Sequence, residues 1–333
     1  MNNPPKENIL NRQDFLPIAR QICRSVKQPP IELPVNGRAG WMRGTDFYGA
    51  DLIRIMAEGL YRYGKANHQL PRHPLECQSF GEKLFWSKFF VPMPIPTPAD
   101  KLAVGDFIPV SLKSKVRAAK HHWISERAED FPLKPELPNG KYFLKTNHGW
   151  RGMSMIDLPQ SISKWEETRI EAAKWLSHRN YNYLGGEWWY STIRPKLYIE
   201  ERIDDQNSDG LTHDYKFFCV DGKVVHLSIS VWNNLEILNN AHFNPEFKWL
   251  DHLVTNTPNK KILPPADAEL LLEVATKLAE KFQFVRVDLY NPRPGEVILG
   301  ELTLCHVGGV SFYKPIEFDL ELGSKWDFSQ NFI

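Results

Sequence analysis

The chain has 333 residues, 42% of them hydrophobic, and its 41 Lys and Arg against 40 Asp and Glu leave a formal net charge of +1. That length suits one large domain or two or three smaller ones, and so even a charge balance offers no basis for nucleic-acid binding or attachment to an acidic membrane surface. No run approaches the ~18–20 apolar residues of a membrane span. The polar start, Met1 to Glu7, has no apolar signal-peptide core, and four widely spaced cysteines (Cys23, Cys77, Cys219, Cys305) fit a reducing cytoplasm.

In chain order, residues 1–77 contain prolines and are weakly periodic, with one helix expected where Leu52, Met56 and Leu60 recur at helical spacing. This part reads as a helical or irregular extension that caps a site, mediates dimerisation or recognises a substrate. A helical region occupies 78–140. It holds a helix at 80–90, a proline-rich extended linker at 91–98, and a short helix capped by Asp100. Its last part, the basic stretch 112–128, is helix-compatible.

From Lys141 the pattern changes. Strands are expected at 141–145 and 153–156 around the loop 146–152, where Gly149 and Gly152 permit a tight phosphate-covering backbone. Ile162, Trp165, Ile170, Ala173 and Trp175 mark an amphipathic helix. The aromatic run Trp188-Trp189-Tyr190 could stack on a sugar ring, but such clusters are more often core. A strand at 197–203 ends among acidic residues. Strands at 214–220 and 223–229 flank Asp221-Gly222, a strong hairpin turn. Leu270 to Phe282 reads as a helix.

Two apolar runs, Phe284-Val-Arg-Val-Asp-Leu-Tyr290 and Val297-Ile-Leu-Gly-Glu-Leu-Thr303, are joined by a linker rich in turn formers. Strand alternation turns Val285, Val287 and Leu289 one way and Arg286, Asp288 and Tyr290 the other. Glu301 and Thr303 share a face on the return strand, so the hairpin gathers a cation, two carboxylates and a hydroxyl on one patch. Hard oxygen ligands suit Mg²⁺ and an arginine suits phosphate. Read alone, the patch is more often an ordinary cross-strand ion pair, Arg286 opposite Glu301 on a solvated face.

The order of these words resembles the ATP-grasp superfamily, and within it the TupA-like branch associated with teichuronopeptide and polysaccharide biosynthesis. The words are Phe143-Leu-Lys-Thr-Asn-His-Gly149, Ile193-Arg-Pro-Lys-Leu-Tyr-Ile-Glu-Glu201, Asp214-Tyr-Lys-Phe-Phe-Cys219, Phe284-Val-Arg-Val-Asp-Leu-Tyr290 and Gly300-Glu-Leu-Thr303. The resemblance covers about residues 78–327 and implies an α+β ATP-grasp fold. In it a small subdomain (141–205) and a large one carrying the metal site (206–333) grip ATP, behind an N-terminal helical extension. It implies that Lys145 and Lys216 reach the phosphates and that His148, Gly149, Arg151 and Gly152 cover them. Glu200, Glu201, Arg202 and Ile203 would form the adenine hinge, with a hinge carboxylate or Asp204 or Asp205 available to the ribose. Arg286 would neutralise the γ-phosphate, and Asp288, Glu301 and Thr303 would hold Mg²⁺, as two ions.

The implied activity is an ATP- and Mg-dependent carboxylate–amine ligase working through an acylphosphate on an acidic saccharide acceptor, with an amino acid or amine as donor. The competing readings are a glycosyltransferase, resting on Asp204-Asp205 and the tryptophans, and a non-catalytic nucleotide-binding module. Trp150 and Arg151 depart from the small residues usual in the family's loop, and Gly105 stands where a basic residue is usual. Cys305 and His306 are either specificity elements or structural. Oligomeric state is not readable.

Overall fold

The computed structural model describes residues 11–35, 38–131, 136–149, 152–177, 183–203 and 211–333. In chain order the elements are α1 (Leu16–Ser25), β1 (Gly40–Met42), α2 (Gly44–Tyr48), α3 (Leu52–Asn67), α4 (Phe80–Phe90), β2 (Met93–Ile95), β3 (Val116–Ala118) and β4 (His121–Ser125). Then come β5 (Gly140–Thr146), β6 (Met153–Leu158), α5 (Ile162–Ser177), β7 (Leu197–Glu201), β8 (Thr212–Val220), β9 (Lys223–Asn233) and β10 (Glu236–Phe243). The chain finishes with α6 (Ala268–Ala279), β11 (Phe284–Arg293), β12 (Glu296–Thr303) and α7 (Ile316–Ser324).

Two sheets carry the site. The larger has six strands in the order β10-β9-β8-β11-β12-β3, and the smaller has four in the order β4-β7-β5-β6. Strand alternation gives each an apolar outer face and a polar inner one. On the larger sheet Phe217, Cys219, Val285, Val287 and Leu289 are fully buried, and α6 covers this side with Leu271, Val274, Ala275 and Leu278. On the smaller sheet Leu144, Ile156, Leu197 and Ile199 pack with Trp165 and Ala172 of α5. The Asp221-Gly222 turn takes positive φ at both residues, the primed form that suits strand twist.

Helix α4 explains the main core. Ser79 caps it reciprocally with Glu82 (Oγ from Glu82 N, 3.3 Å; Ser79 N to Oε2, 3.2 Å). Every one of its residues is buried, which fits a sequence apolar around most of its circumference. Its two lysines are anchored by chain carbonyls: Lys83 Nζ donates to Gly323 (2.7 Å) and Trp326 (2.6 Å), and Lys88 Nζ to Gly185 (3.0 Å) and Gly308 (2.6 Å). Phe15, Ala19, Ile22, Ile55, Met56 and Leu60 belong to the same hydrophobic cluster as α4 and the larger sheet, so these N-terminal helices pack into the main core.

Three expectations are corrected. The stretch 112–128 forms β3 and β4 rather than helix, because Val116–Ala118 adds in parallel to β12 and His121–Ser125 pairs with β7; tertiary pairing overrides local helix compatibility. Asp100 caps a turn, not a helix: its Oδ1 accepts from Leu102 N (3.0 Å) and from Asn147 Nδ2 (2.9 Å), with a short 3-10 segment at Val104–Phe107 just beyond it. In α5 the buried face is Trp165, Thr168 and Ala172, whereas Ile162 (61% exposed) and Ile170 (56%) point to solvent.

Candidate active site

The inner face of the larger sheet presents two adjoining rows of side chains. Lys216, Asp288 and Glu301 stand opposite one another across β8, β11 and β12, and Phe218, Arg286 and Thr303 form the next row. Arg286 grips Asp288 with two bonds, Nε to Oδ1 at 2.7 Å and Nη2 to Oδ2 at 2.6 Å. Its remaining arm, Nη1, lies 2.8 Å from His306 Nδ1. Because a guanidinium only donates, that imidazole nitrogen accepts, which fixes His306 as neutral with its proton on Nε2. Burial and the neighbouring Arg286 push the His306 pKa well down, in agreement.

Glu301 accepts from Thr303 Oγ1 at 3.0 Å. Burial would raise its carboxyl, but Lys101 and Arg286 outweigh that and hold it below the usual range. Lys216 pairs with Asp214 and lies 3.6 Å from Asp288 Oδ2. Burial lowers its ammonium to about 8 against the pull of Asp288.

The smaller sheet faces this patch with Phe143 and Lys145 of β5 and Tyr198 and Glu200 of β7. Lys145 pairs with Glu200. Burial would raise the Glu200 carboxyl, yet Lys145 and His121 together keep it lowered. A cavity lies between the sheets, lined from one side by Lys145, Glu200 and the 201–203 segment and from the other by Asp214, Asp288, Tyr290 and Glu301. Gly300 admits the Tyr290 ring, since a Cβ there would sit 2.7 Å from Tyr290 Cε2.

The loop after β5 is clamped in place. Asn147 is buried and donates to Asp100 (2.9 Å) and Arg194 O (3.1 Å) while accepting from Lys196 N (2.7 Å). Thr146 N bonds Gly152 O at 3.0 Å, and Gly149 and Gly152 both take positive φ (91° and 92°). Lys101 Nζ donates to Gly149 O at 2.5 Å and reaches the cavity. Lys101, Lys145 and Arg202 therefore line this cavity, and Lys216 and Arg286 flank its Asp288 on the inner face of the larger sheet.

Most of the expected site residues thus converge. Lys145, Lys216, Arg286, Asp288, Glu301 and Thr303 lie on the facing inner surfaces, and Glu200, Glu201, Arg202 and Ile203 line the cavity at one end. The Glu201 carboxylate itself is engaged with Arg117 and with Lys120 N (2.9 Å). His148 is buried in the loop. Arg151, Trp150, Asp204 and Asp205 lie outside the described residues. Trp188 and Trp189 are fully buried core, so they are not a sugar platform. Sequence reasoning puts Tyr290 on the Asp288 face but gives it no role, and it passes over Asp214, which the two-residue strand period places on the face of Lys216. It also passes over Lys101 as a cation of the site, and Gly105 adds none.

The chain matches the model of the TupA-like ATP-grasp family over residues 99–327. It belongs to that family. Its mixed helix-and-sheet structure is the ATP-grasp fold. No curated protein matches the sequence. Among solved structures, the family member is similar to an L-amino acid ligase from Bacillus licheniformis (12% identity, TM-score 0.40, covering 64% of this chain and 44% of that one). It is also similar to a D-alanine–D-alanine ligase from Bacillus anthracis complexed with ATP (11% identity, TM-score 0.39, 70% and 62%). A third is D-cycloserine synthetase (12% identity, TM-score 0.38, 68% of each). The chain spans less than two thirds of the length of the first two.

The residues suit the groups that an ATP-grasp ligase uses. Lys101, Lys145 and Arg202 lining the cavity, with Lys216 and Arg286 beside Asp288, fit a triphosphate. Among the described residues there is no cluster of three or more His, Cys, Asp or Glu able to hold a metal alone. Asp288, Glu301 and the Thr303 hydroxyl instead form a sparse hard-oxygen set, which is what Mg²⁺ takes when phosphate and water complete its shell. No helix among the described residues is long and apolar enough to cross a membrane.

Proposed function

We propose that this ATP-grasp ligase joins a carboxylate to an amine, releasing ADP and phosphate, and that it acts in the cytoplasm on an acidic saccharide or polysaccharide precursor with an amino acid or amine as the second substrate. The observation that carries the reading is the double row Lys216–Asp288–Glu301 and Phe218–Arg286–Thr303 facing Lys145 across the cavity.

In this reading residues 141–205 and 206–333 are the two gripping subdomains, with 78–140 leading into them and 1–77 as an N-terminal extension. Lys145, Lys216 and Lys101 bind the phosphates, helped by the 148–152 loop. The 200–203 segment meets the base. Asp288, Glu301 and Thr303 would hold Mg²⁺, as two ions, and the metal would supply charge neutralisation for phosphoryl transfer. Arg286 steadies the phosphoryl oxygens as the substrate carboxylate takes the γ-phosphoryl group and becomes an acyl phosphate. The amine nitrogen then attacks the acyl carbon; the C–N bond forms, the bond to the phosphate oxygen breaks and phosphate departs. The protein's share is positioning and fixed charge.

The test is ADP and phosphate release by the purified full chain with Mg-ATP across a panel of uronate saccharides and amines. Release that needs both a carboxylate and an amine is expected. A complete absence of release across the panel, or binding of a UDP-sugar in preference to ATP, overturns the reading.

A further inference from the structure

A second cavity of about 540 Å³ adjoins the first and shares Glu301 with it. Arg286 and Thr303 form part of its wall, so it opens on the reacting end of the proposed site rather than the base end. Its other walls come from outside the two sheets: Gly59 and Arg62 of α3, Lys88 of α4, the segment at Gly185 and Glu187, and the turn at Val307 and Gly308.

Glu187 is the unusual group there. No hydrogen bond or ion pair from a described residue reaches its carboxylate. The cation that acts on it, Lys88, is fully buried and spends its ammonium on the carbonyls of Gly185 and Gly308. Two glycines keep the space beside it open. A Cβ on Gly308 would stand 3.5 Å from Glu187 Oε2, and one on Gly185 would stand 4.0 Å from Oε2 and 3.8 Å from Arg62 Nη1. Arg62 is exposed at the rim; its Nε holds Glu58 at 2.8 Å, and its terminal nitrogens bond no described residue. A carboxylate and a guanidinium thus flank one glycine without pairing with each other.

We propose that this cavity is the subsite for the amine substrate, an α-amino acid whose ammonium is received by Glu187 and whose carboxylate is received by Arg62. The proposal rests on the ligase reading above and gives the N-terminal region a share in the site. An unpaired, largely desolvated carboxylate is costly unless a cation comes to it, and a zwitterion supplies both charges that the walls lack. The position beside Arg286 brings the nitrogen to the face on which the acyl phosphate forms. The nitrogen must shed a proton before it attacks. Burial raises Glu187 to about 7, against the pull of Lys88, so its carboxylate can take that proton. Lys88, Arg62, Tyr190, Arg286, Glu301 and Cys305 are the other charged or titratable groups that face the space.

The experiment is binding of the twenty common L-amino acids to the full chain with Mg-AMPPNP present, measured by saturation-transfer NMR and calorimetry on wild type, Glu187→Gln and Arg62→Ala. Both changes are near-isosteric or at the surface, and melting curves confirm folding. At least one amino acid is expected to bind wild type and to lose roughly tenfold or more in affinity in each variant, with Mg-AMPPNP affinity unchanged. Absence of amino-acid binding to wild type, or undiminished binding in both variants, overturns the proposal while leaving the ligase reading in place. Failure of Mg-AMPPNP itself to bind overturns the ligase reading, and this subsite with it.

Discussion

Arg286 and Asp288, two residues apart on one strand, are locked in a two-pronged ion pair of 2.7 and 2.6 Å, with Asp288 lining the first cavity and Arg286 the second. Burial works against the Arg286 charge, and Asp288 more than restores it. The pair holds the guanidinium plane still before any substrate arrives, so its later work on a phosphoryl group costs little reorganisation.

Asp288→Asn keeps the shape and removes the charge. We expect ADP release to fall by about 100-fold or more, as removal of a preorganised charge partner generally does, with the Mg²⁺ requirement moved to higher concentration. Arg286→Lys should fare little better, because an ammonium cannot reproduce the fork. A coupled ADP assay over a Mg²⁺ series reads both.

His306 accepts from the third arm of Arg286 and meets Phe218 edge-on (centroids 4.9 Å apart). His306→Phe preserves the ring and deletes the acceptor. A hydrogen bond to a charged group is worth about 1.5–3 kcal/mol, so turnover should drop by roughly tenfold or more. Steady-state kinetics should place most of that loss in kcat, with little change in the melting temperature.

Gly152 sits at φ +92°, where a Cβ would come 2.7 Å from Thr146 Oγ1 and 3.2 Å from Trp175. Gly152→Ala should cost about 1–3 kcal/mol of backbone strain and pull the loop away from the cavity. ATP affinity by calorimetry should weaken, and the melting temperature should fall with it.

Glu82 offers a pH test remote from the site. Burial would raise its carboxyl, but Arg72 and the N–H groups of Arg72, Ser79 and Gln78 hold it below the ordinary 4.5. A group lowered on folding stabilises fully above its unfolded value, and that contribution disappears as pH falls through the lowered one. Wild type should therefore lose stability below pH 4.5 more steeply than Glu82→Gln. Urea midpoints across about pH 2.5–6 check the slope; equal slopes would remove Glu82 from the account.

The hairpin at 284–303 is legible in the sequence because strand period alone decides which side chains share a face, and the register Asp288 to Glu301 keeps that alternation. Helix α4 carries its own start signal in Ser79 and Glu82. The strands at 116–118 and 121–125 carry no such local mark: they exist because two sheet edges need partners, and those edges are made by residues about 75 to 180 positions later. Glu187, Lys88 and Arg62 are invisible for a related reason. They come from three segments with no shared motif, and only the packed core brings them together. The helix at 162–177 is legible in extent but not in rotation, since Trp165, not the isoleucines, governs which side faces the sheet.

Only Ala119 and Lys120 separate the end of β3, at the rim of one sheet, from the start of β4, at the rim of the other. Arg117 straddles that junction, bonding Glu296 of β12 (3.1 Å) and Glu201 of β7. Clamshell motion of the two halves would therefore pivot on a leash two residues long, with one guanidinium acting as its latch. Since that latch is partly open to solvent, the breathing of the whole jaw should be tunable by ionic strength, without any change to the residues that touch the nucleotide.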